Sequence, residues 1–157
     1  MQLNKDITLD YALYGLKSNN KRECMRDIAR FICKHNTTLN EIDLFDQLLD
    51  QERQATSGIG RGIAIPHIRV NDLQRPINII AHLEHGADFD SADGEDVKII
   101  WVTLSPRSDG TRHLMRLAKI SRMLSDPALS DHLTKARSLD ELRAILLNVD
   151  DGMRKAA

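Results

Sequence analysis

The chain has 157 residues, of which 41% are hydrophobic and 29% charged, a balance that excludes a disordered chain and allows a core without covalent staples. Its 22 lysines and arginines stand against 23 acidic residues, a formal charge of −1. That leaves no electrostatic footprint for nucleic acid or an anionic membrane, and neither is expected as a partner.

In chain order, the N-terminus lacks the apolar stretch of a secretory signal. The longest apolar runs, 77–83 and 97–104, are too short to span a bilayer, so a cytoplasmic protein without direct membrane insertion is expected. Residues 3–149 read as one domain, followed by a flexible tail over 150–157. A helix is predicted over 19–35, capped by Ser18, with Cys24, Ile28, Phe31 and Ile32 on one face. Cys24 and Cys33 lie too far apart along that helix to bridge, and no cysteine–histidine spacing marks a metal site. A second helix is predicted from Thr38, where Thr38 and Glu41 form a capping box, to about Glu52, burying Ile42, Phe45, Leu48 and Leu49.

The loop 55–62 carries Gly58, Gly60 and Gly62, which suit a tight turn or a close backbone approach to a ligand. It feeds a short buried strand, Ile63-Ala64-Ile65, stopped by Pro66. The best strands are 77–83 and 97–104, and the second is apolar nearly throughout, as for a central strand covered on both faces. Between them 84–96 reads as a polar loop. After Ser105-Pro106 a helix is predicted over 111–124, with Leu114, Leu117, Ala118, Ser121 and Leu124 inside. A short helix over 128–136 follows Asp126-Pro127. A last helix is capped by Ser138 and Glu141 and buries Leu142, Ile145 and Leu146. The fold class is α/β, a mixed sheet of about four or five strands flanked by helices.

Six histidines are candidates for chemistry. His35 falls near a helix C-terminus, where an imidazole complements the dipole. His82 and His85 have the spacing of a weak metal pair but no third ligand, and no metal is expected. His132 lies on a polar helical stretch. His67 differs, because it follows a glycine loop, a buried strand and a proline. A strand end can hold an imidazole at a fixed angle, and backbone amides beside glycines can cradle phosphoryl oxygens.

The run 57–67, Ser-Gly-Ile-Gly-Arg-Gly-Ile-Ala-Ile-Pro-His, resembles the signature of type-2 enzyme IIA domains of the bacterial phosphotransferase system. These are the fructose-, mannitol- and nitrogen-regulatory phosphocarriers, and the likeness extends over nearly the whole chain. The resemblance implies the type-2 enzyme IIA-like fold and a phosphoryl group accepted on His67. It also implies that His113, in the pair His113-Leu114 at the start of a helix, lies beside His67 and donates a hydrogen bond or orients the site. Amides of Gly58, Gly60 and Gly62 are the candidate cradle. Two positions depart from the pattern. The family arginine seven residues before the first loop glycine is Gln51 here, and Arg53 and Arg61 are the nearby cations that could take its place. The usually small residue after the histidine is Ile68, expected to narrow access or to serve as a docking contact.

The resemblance implies partners as well: a histidine phosphocarrier protein of HPr or NPr type upstream, and a IIB component or a regulatory protein downstream. No metal, nucleotide or other cofactor is implied, because the donor is a phosphohistidine and no P-loop occurs. A lone IIA domain favours the nitrogen-regulatory branch over sugar transport. Two other readings stand beside the phosphocarrier. One is an enzyme IIA-like module with a weakened site that acts by protein contacts alone. The other is an unrelated α/β enzyme using His67 and His113 as acid and base.

Overall fold

The computed structural model describes residues 1–5 and 7–155. Strands β1 (Gln2–Asn4) and β2 (Ile7–Thr8) form a small antiparallel ribbon, and β3 (Tyr11–Leu16) follows. Helices α1 (Lys21–His35) and α2 (Glu41–Gln54) come next, then β4 (Gly58–Gly60), β5 (Ile63–Ala64) and β6 (His67–Val70). Two long strands, β7 (Ile77–Ala87) and β8 (Val97–Pro106), lead through a 3-10 turn (Arg107–Asp109) to α3 (Thr111–Leu124), α4 (Pro127–Lys135) and α5 (Leu139–Lys155).

The main sheet has six strands in the order β3-β7-β8-β5-β4, with β6 also on β8. β7 runs antiparallel to β8, while β5 and β6 both run parallel to it, on either side of Pro66. The sheet is thus mixed, as expected, with one or two more strands than the hydropathy pattern gave. The strand that escaped it, β3, is Tyr-Ala-Leu-Tyr-Gly-Leu, half-buried at all six positions and without the alternation that marks a strand in sequence.

Alternation along β8 builds the two layers. Ile100, Val102 and Leu104 face α1 and α2, where Cys24, Met25, Ile28, Ile32, Leu44 and Leu48 are buried. Ile99 and Trp101 face α3–α5, packed on Ile120, Leu124, Leu133, Leu142 and Leu146. All of β8 except Lys98 is buried, which fits the expected central strand covered on both faces.

Several local expectations shift. Asn20, not Ser18, caps α1 by accepting from the Glu23 amide at 2.9 Å, while Ser18 donates to Asp27 Oδ2 at 2.7 Å. Asn40 caps α2 by accepting from the Asp43 amide at 3.0 Å, so the Thr38–Glu41 box does not form; asparagine outranks threonine at this position. Ile42 consequently points outward at 70% exposure, and Leu44 takes its place inside. Strand β7 continues to Ala87 and absorbs the start of the expected loop. Helix α3 keeps its predicted bounds but is turned about its axis: His113, Ile120, Met123 and Leu124 are buried, while Leu114 is 65% exposed. Ser138 accepts from the Glu141 amide at 3.0 Å, and the Glu141 carboxylate accepts from the Arg137 amide at 2.7 Å.

His35 closes α1 with Nδ1 2.9 Å from the Phe31 carbonyl, and His132 is exposed on α4. His82 is buried and stacks on Tyr14 with ring centroids 4.3 Å apart, whereas its strand neighbour His85 is exposed. Of the expected tail, α5 is assigned to Lys155 and residues 156–157 lie outside the described residues. No helix among the described residues is long and apolar enough to cross a membrane.

The hairpin β4–β5 turns at Gly62, whose φ of +76° disfavours any side chain and whose added Cβ would sit 3.0 Å from Thr134 Cγ2. Gly94 has a similar φ of +74° but open space around it. Gly94→Ala should therefore cost about 1 kcal/mol of backbone strain, and Gly62→Ala about 2–3 kcal/mol because overpacking adds to it. Urea denaturation of the two variants checks this; equal losses would show that the Thr134 contact carries no weight.

Candidate functional site

The site begins with a missing ladder bond. The Ile65 amide donates to the Ser57 carbonyl at 2.8 Å, one half of a regular antiparallel pair. In such a pair the Ser57 amide would return the bond to the Ile65 carbonyl. Instead it donates to both carboxylate oxygens of Glu52, at 3.0 and 3.2 Å. Glu52 is only 5% exposed, and its charge is met by Lys21 Nζ at 3.4 Å, which also reaches Asp90 Oδ2 at 2.8 Å. The Ile65 carbonyl is thereby released from the hairpin.

That carbonyl is taken up by His67, whose Nδ1 lies 2.9 Å from it. A carbonyl only accepts, so Nδ1 carries the proton and the lone pair of the neutral ring sits on Nε2. The next carbonyl, of Pro66, accepts from the Thr103 amide at 3.0 Å and pins the backbone to β8. His67 opens β6 with its ring partly exposed.

His113, in the first turn of α3, stands beside it with ring centroids 5.7 Å apart. Its side of the site is buried: His113 is 5% exposed and Ser105 is fully covered. His113 Nδ1 is 2.7 Å from Ser105 Oγ, which also accepts from Arg116 Nη1 at 2.7 Å. Arg116 Nη2 in turn donates to Asp109 Oδ2 at 2.8 Å. Burial pushes the His113 imidazole down to about 4, helped by His67 and the cations Arg69 and Arg116, with Asp109 opposing. His113 is therefore uncharged at neutral pH. Asn20, Asn40 and Asp126 cap α1, α2 and α4, but α3 starts at Gly110 with no side-chain cap among the described residues. An uncapped helix start leaves amide donors and a positive dipole end near the two histidines, a setting that favours an anion.

The sequence-predicted residues divide. His67 and His113 come together. Gln51 lines an open groove of about 240 Å³ with Ile68, Arg69 and Arg107. Arg53 does not reach the histidines; it is exposed and pairs with Asp50 at 3.3 Å. Arg61 sits at the hairpin tip, its amide bonded to Asp93 at 2.8 Å and its side chain lining a groove with Glu95 and Asp131. The register places that tip opposite Ile99 and His67 opposite Thr103, four strand residues or roughly 13 Å apart. Gly60 and Gly62 share the tip. Gly58 is nearer His67, but its amide already donates to Thr56 Oγ1 at 3.1 Å. Ile68 does not cover His67; strand alternation turns it into the α1–α2 layer at 7% exposure, with only its edge on the groove that Gln51 lines.

The residues that sequence reasoning missed are Glu52, Arg69, Ser105, Asp109 and Arg116. Arg69 had a signal, since two residues along a strand from His67 it must share that face. Arg107 shares the groove of Gln51 and Arg69, its Nε 3.0 Å from Asn71 Oδ1 and its Nη2 3.4 Å from the Arg69 carbonyl. The others required the packing of α3 on β8.

A mixed sheet between two helical layers is a fold that this chain shares with solved enzyme IIA structures. The fold matches the crystal structure of nitrogen regulatory protein IIA-Ntr from Neisseria meningitidis at a TM-score of 0.76, with 26% identity over 87% of this chain and 92% of that one. Residues 7–149 match the family model "Phosphoenolpyruvate-dependent sugar phosphotransferase system, EIIA 2", and the chain belongs to that family. It is 30% identical over 152 residues to a nitrogen regulatory protein of Pseudomonas aeruginosa, covering 97% of this chain and 99% of that protein. It is also 34% identical over 104 residues to a fructose-specific EIIA component of the phosphotransferase system of Haloferax volcanii, covering 66% of this chain and 68% of that one.

The low His113 value links the site to acid stability. An imidazole held near 4 when folded and about 6.5 when unfolded contributes stability that is complete above the unfolded value and is lost as pH falls toward 4. On the order of 2–3 kcal/mol should disappear between about pH 7 and about pH 4 through this group. His113→Gln should flatten that part of the profile, whatever its own cost at neutral pH. Guanidinium denaturation across the range checks it, and parallel profiles for the two proteins would refute the assignment.

Proposed function

We propose that this protein is a cytoplasmic phosphocarrier that accepts a phosphoryl group on His67 Nε2 from the phosphohistidine of a histidine phosphocarrier protein. The observation that carries this reading is the bond from His67 Nδ1 to the Ile65 carbonyl, which leaves Nε2 as the free lone pair on a partly exposed ring. In the transfer, Nε2 attacks phosphorus in line, the donor's N–P bond breaks, and its electron pair stays on the donor nitrogen. The Ile65 carbonyl holds the Nδ1 proton as the His67 ring gains positive charge. His113 donates a hydrogen bond to a phosphoryl oxygen, and the start of α3 adds amide donors.

Arg69 supplies the charge that Gln51 lacks. It shares the His67 face of β6 and lies beside the groove that Gln51 lines. A guanidinium there stabilises charge on the equatorial oxygens. The working unit is the domain over 3–149. Likeness over nearly the full length to a nitrogen regulatory protein supports the regulatory branch, in which phosphorylation switches contacts with a regulatory protein. The sugar-transport branch would instead pass the group to a IIB component. Uncharged Gln51 favours a second reading, a IIA-like module with a weakened site that works by binding alone.

The test is phosphoryl uptake from phosphoenolpyruvate through enzyme I and either an HPr-type or an NPr-type carrier, followed by intact mass. Wild type should gain one phosphoryl group, with faster transfer from the NPr-type carrier. His67→Ala should gain none. His113→Ala and Arg69→Gln should each slow uptake by about tenfold to a hundredfold. A folded wild-type protein that gains nothing from either carrier would leave the binding module as the reading.

A further inference from the structure

The two histidines meet the protein through the same ring atom but with opposite partners, and this has a chemical consequence for His113. Ser105 Oγ is fully buried and has two partners among the described residues, Arg116 Nη1 and His113 Nδ1, each at 2.7 Å. A guanidinium only donates, so Arg116 takes a lone pair of the hydroxyl oxygen. The serine hydrogen then needs an acceptor, and His113 Nδ1 is the partner left to receive it. The reverse arrangement, with Nδ1–H donating to the serine, would leave a buried hydroxyl hydrogen without a partner. Arg116 is held for this contact by Asp109, and both side chains are close to buried, 11% and 12% exposed.

We propose that Asp109, Arg116 and Ser105 form a positioning relay that locks His113 as its Nε2–H tautomer, the form that can donate a hydrogen bond to a phosphoryl group on His67. The purpose assigned to the relay rests on the phosphocarrier reading; the tautomer does not. His67 faces a carbonyl and keeps its proton on Nδ1, so its Nε2 is a nucleophile. His113 faces a hydroxyl and keeps its proton on Nε2, so its Nε2 is a donor. One ring attacks and the neighbouring ring stabilises, and neither can exchange roles without breaking its Nδ1 hydrogen bond, part-buried at His67 and buried at His113. The charged and titratable groups around His113 are His67 and Arg69 on β6, Arg116 on its own helix and Asp109 in the preceding turn. Three of the four oppose a second proton on the ring, so the tautomer persists at neutral pH.

The experiment is nitrogen-15 NMR of the imidazoles in the whole unphosphorylated protein, run on wild type, Ser105→Ala and Arg116→Gln, beside the phosphoryl uptake assay. In wild type, His113 Nδ1 should give the signal of an unprotonated nitrogen and Nε2 that of a protonated one. Ser105→Ala should convert His113 to a mixture of tautomers and slow uptake at least tenfold, while the His67 signals stay as in wild type. Arg116→Gln should move the His113 titration midpoint upward, because a cation is removed. An Nδ1–H tautomer in wild type would overturn the relay without any variant having to fold. So would a Ser105→Ala protein that keeps both the Nε2–H tautomer and the wild-type rate. Failure of the carrier reading shows itself differently, as an intact tautomer pattern in a wild-type protein that takes up no phosphoryl group.

Discussion

The structure of the site depends on one carbonyl oxygen, that of Ile65, being left out of its hairpin. Glu52 makes this happen by drawing the Ser57 amide away, and a buried carboxylate can persist there because two hydrogen bonds and Lys21 compensate it. The same carboxylate ties the C-terminal turn of α2 to the start of α1 and, through Lys21, to Asp90. The orientation of the His67 ring is thus set by packing on the face of the sheet opposite to its own. An imidazole aimed by a fixed carbonyl needs no reorganisation when the phosphoryl donor arrives.

Strand β8 relates the two histidines. It holds β5 and β6 in register on one side, which fixes His67 opposite Thr103. Two residues on, Ser105 points to the same face and meets His113 from α3. Below that polar end the strand face is continued by Thr103 and Trp101, with the indole Nε1 donating to Thr103 Oγ1 at 3.2 Å and Thr103 to Asn78 Oδ1 at 2.8 Å. Every polar atom in that buried row has a partner, so the end of the sheet is a defined surface rather than a soft one.

The sequence made the long strands, all five helices and the His67–His113 pair legible, and for different reasons. Strand β8 is apolar almost throughout and β7 opens on an apolar run over 77–83, while helical spacing and start signals mark α1–α5. The histidine pair came from the resemblance of 57–67 and of the His113-Leu114 helix start to a known family, since position alone did not separate His113 from a solvated histidine. What stayed hidden was set by tertiary contacts. The outward turn of Leu114 reflects His113 being drawn in to Ser105, which overrides the hydrophobic stripe. Asn20 and Asn40 won the caps over Ser18 and Thr38, a competition between neighbours that spacing rules do not resolve. Arg61, adjacent to the loop glycines in sequence, is carried to the far end of the strand by the hairpin, whereas Arg69 is carried to the histidines.

The first strand of the main sheet sets the order in which the molecule can be built. Asp10, just before β3, accepts from the Asn78 amide 68 residues later, and the Tyr14 hydroxyl on β3 reaches the Ala136 carbonyl across 122 residues. Pairing so distant in sequence closes large loops and is slow, because chain entropy is lost before contacts repay it. During synthesis β3 must wait for β7 and then for the end of α4 before both of its contacts exist. Until then it is an unpaired edge in a nascent chain, the kind of segment that chaperones shield. The histidine site, with its supports at Lys21, Glu52 and Ser57, is made from residues between 21 and 116 and can assemble before the contact with Ala136 closes. Its rigidity and the closing of the N-terminal edge are therefore separate events in the life of the chain.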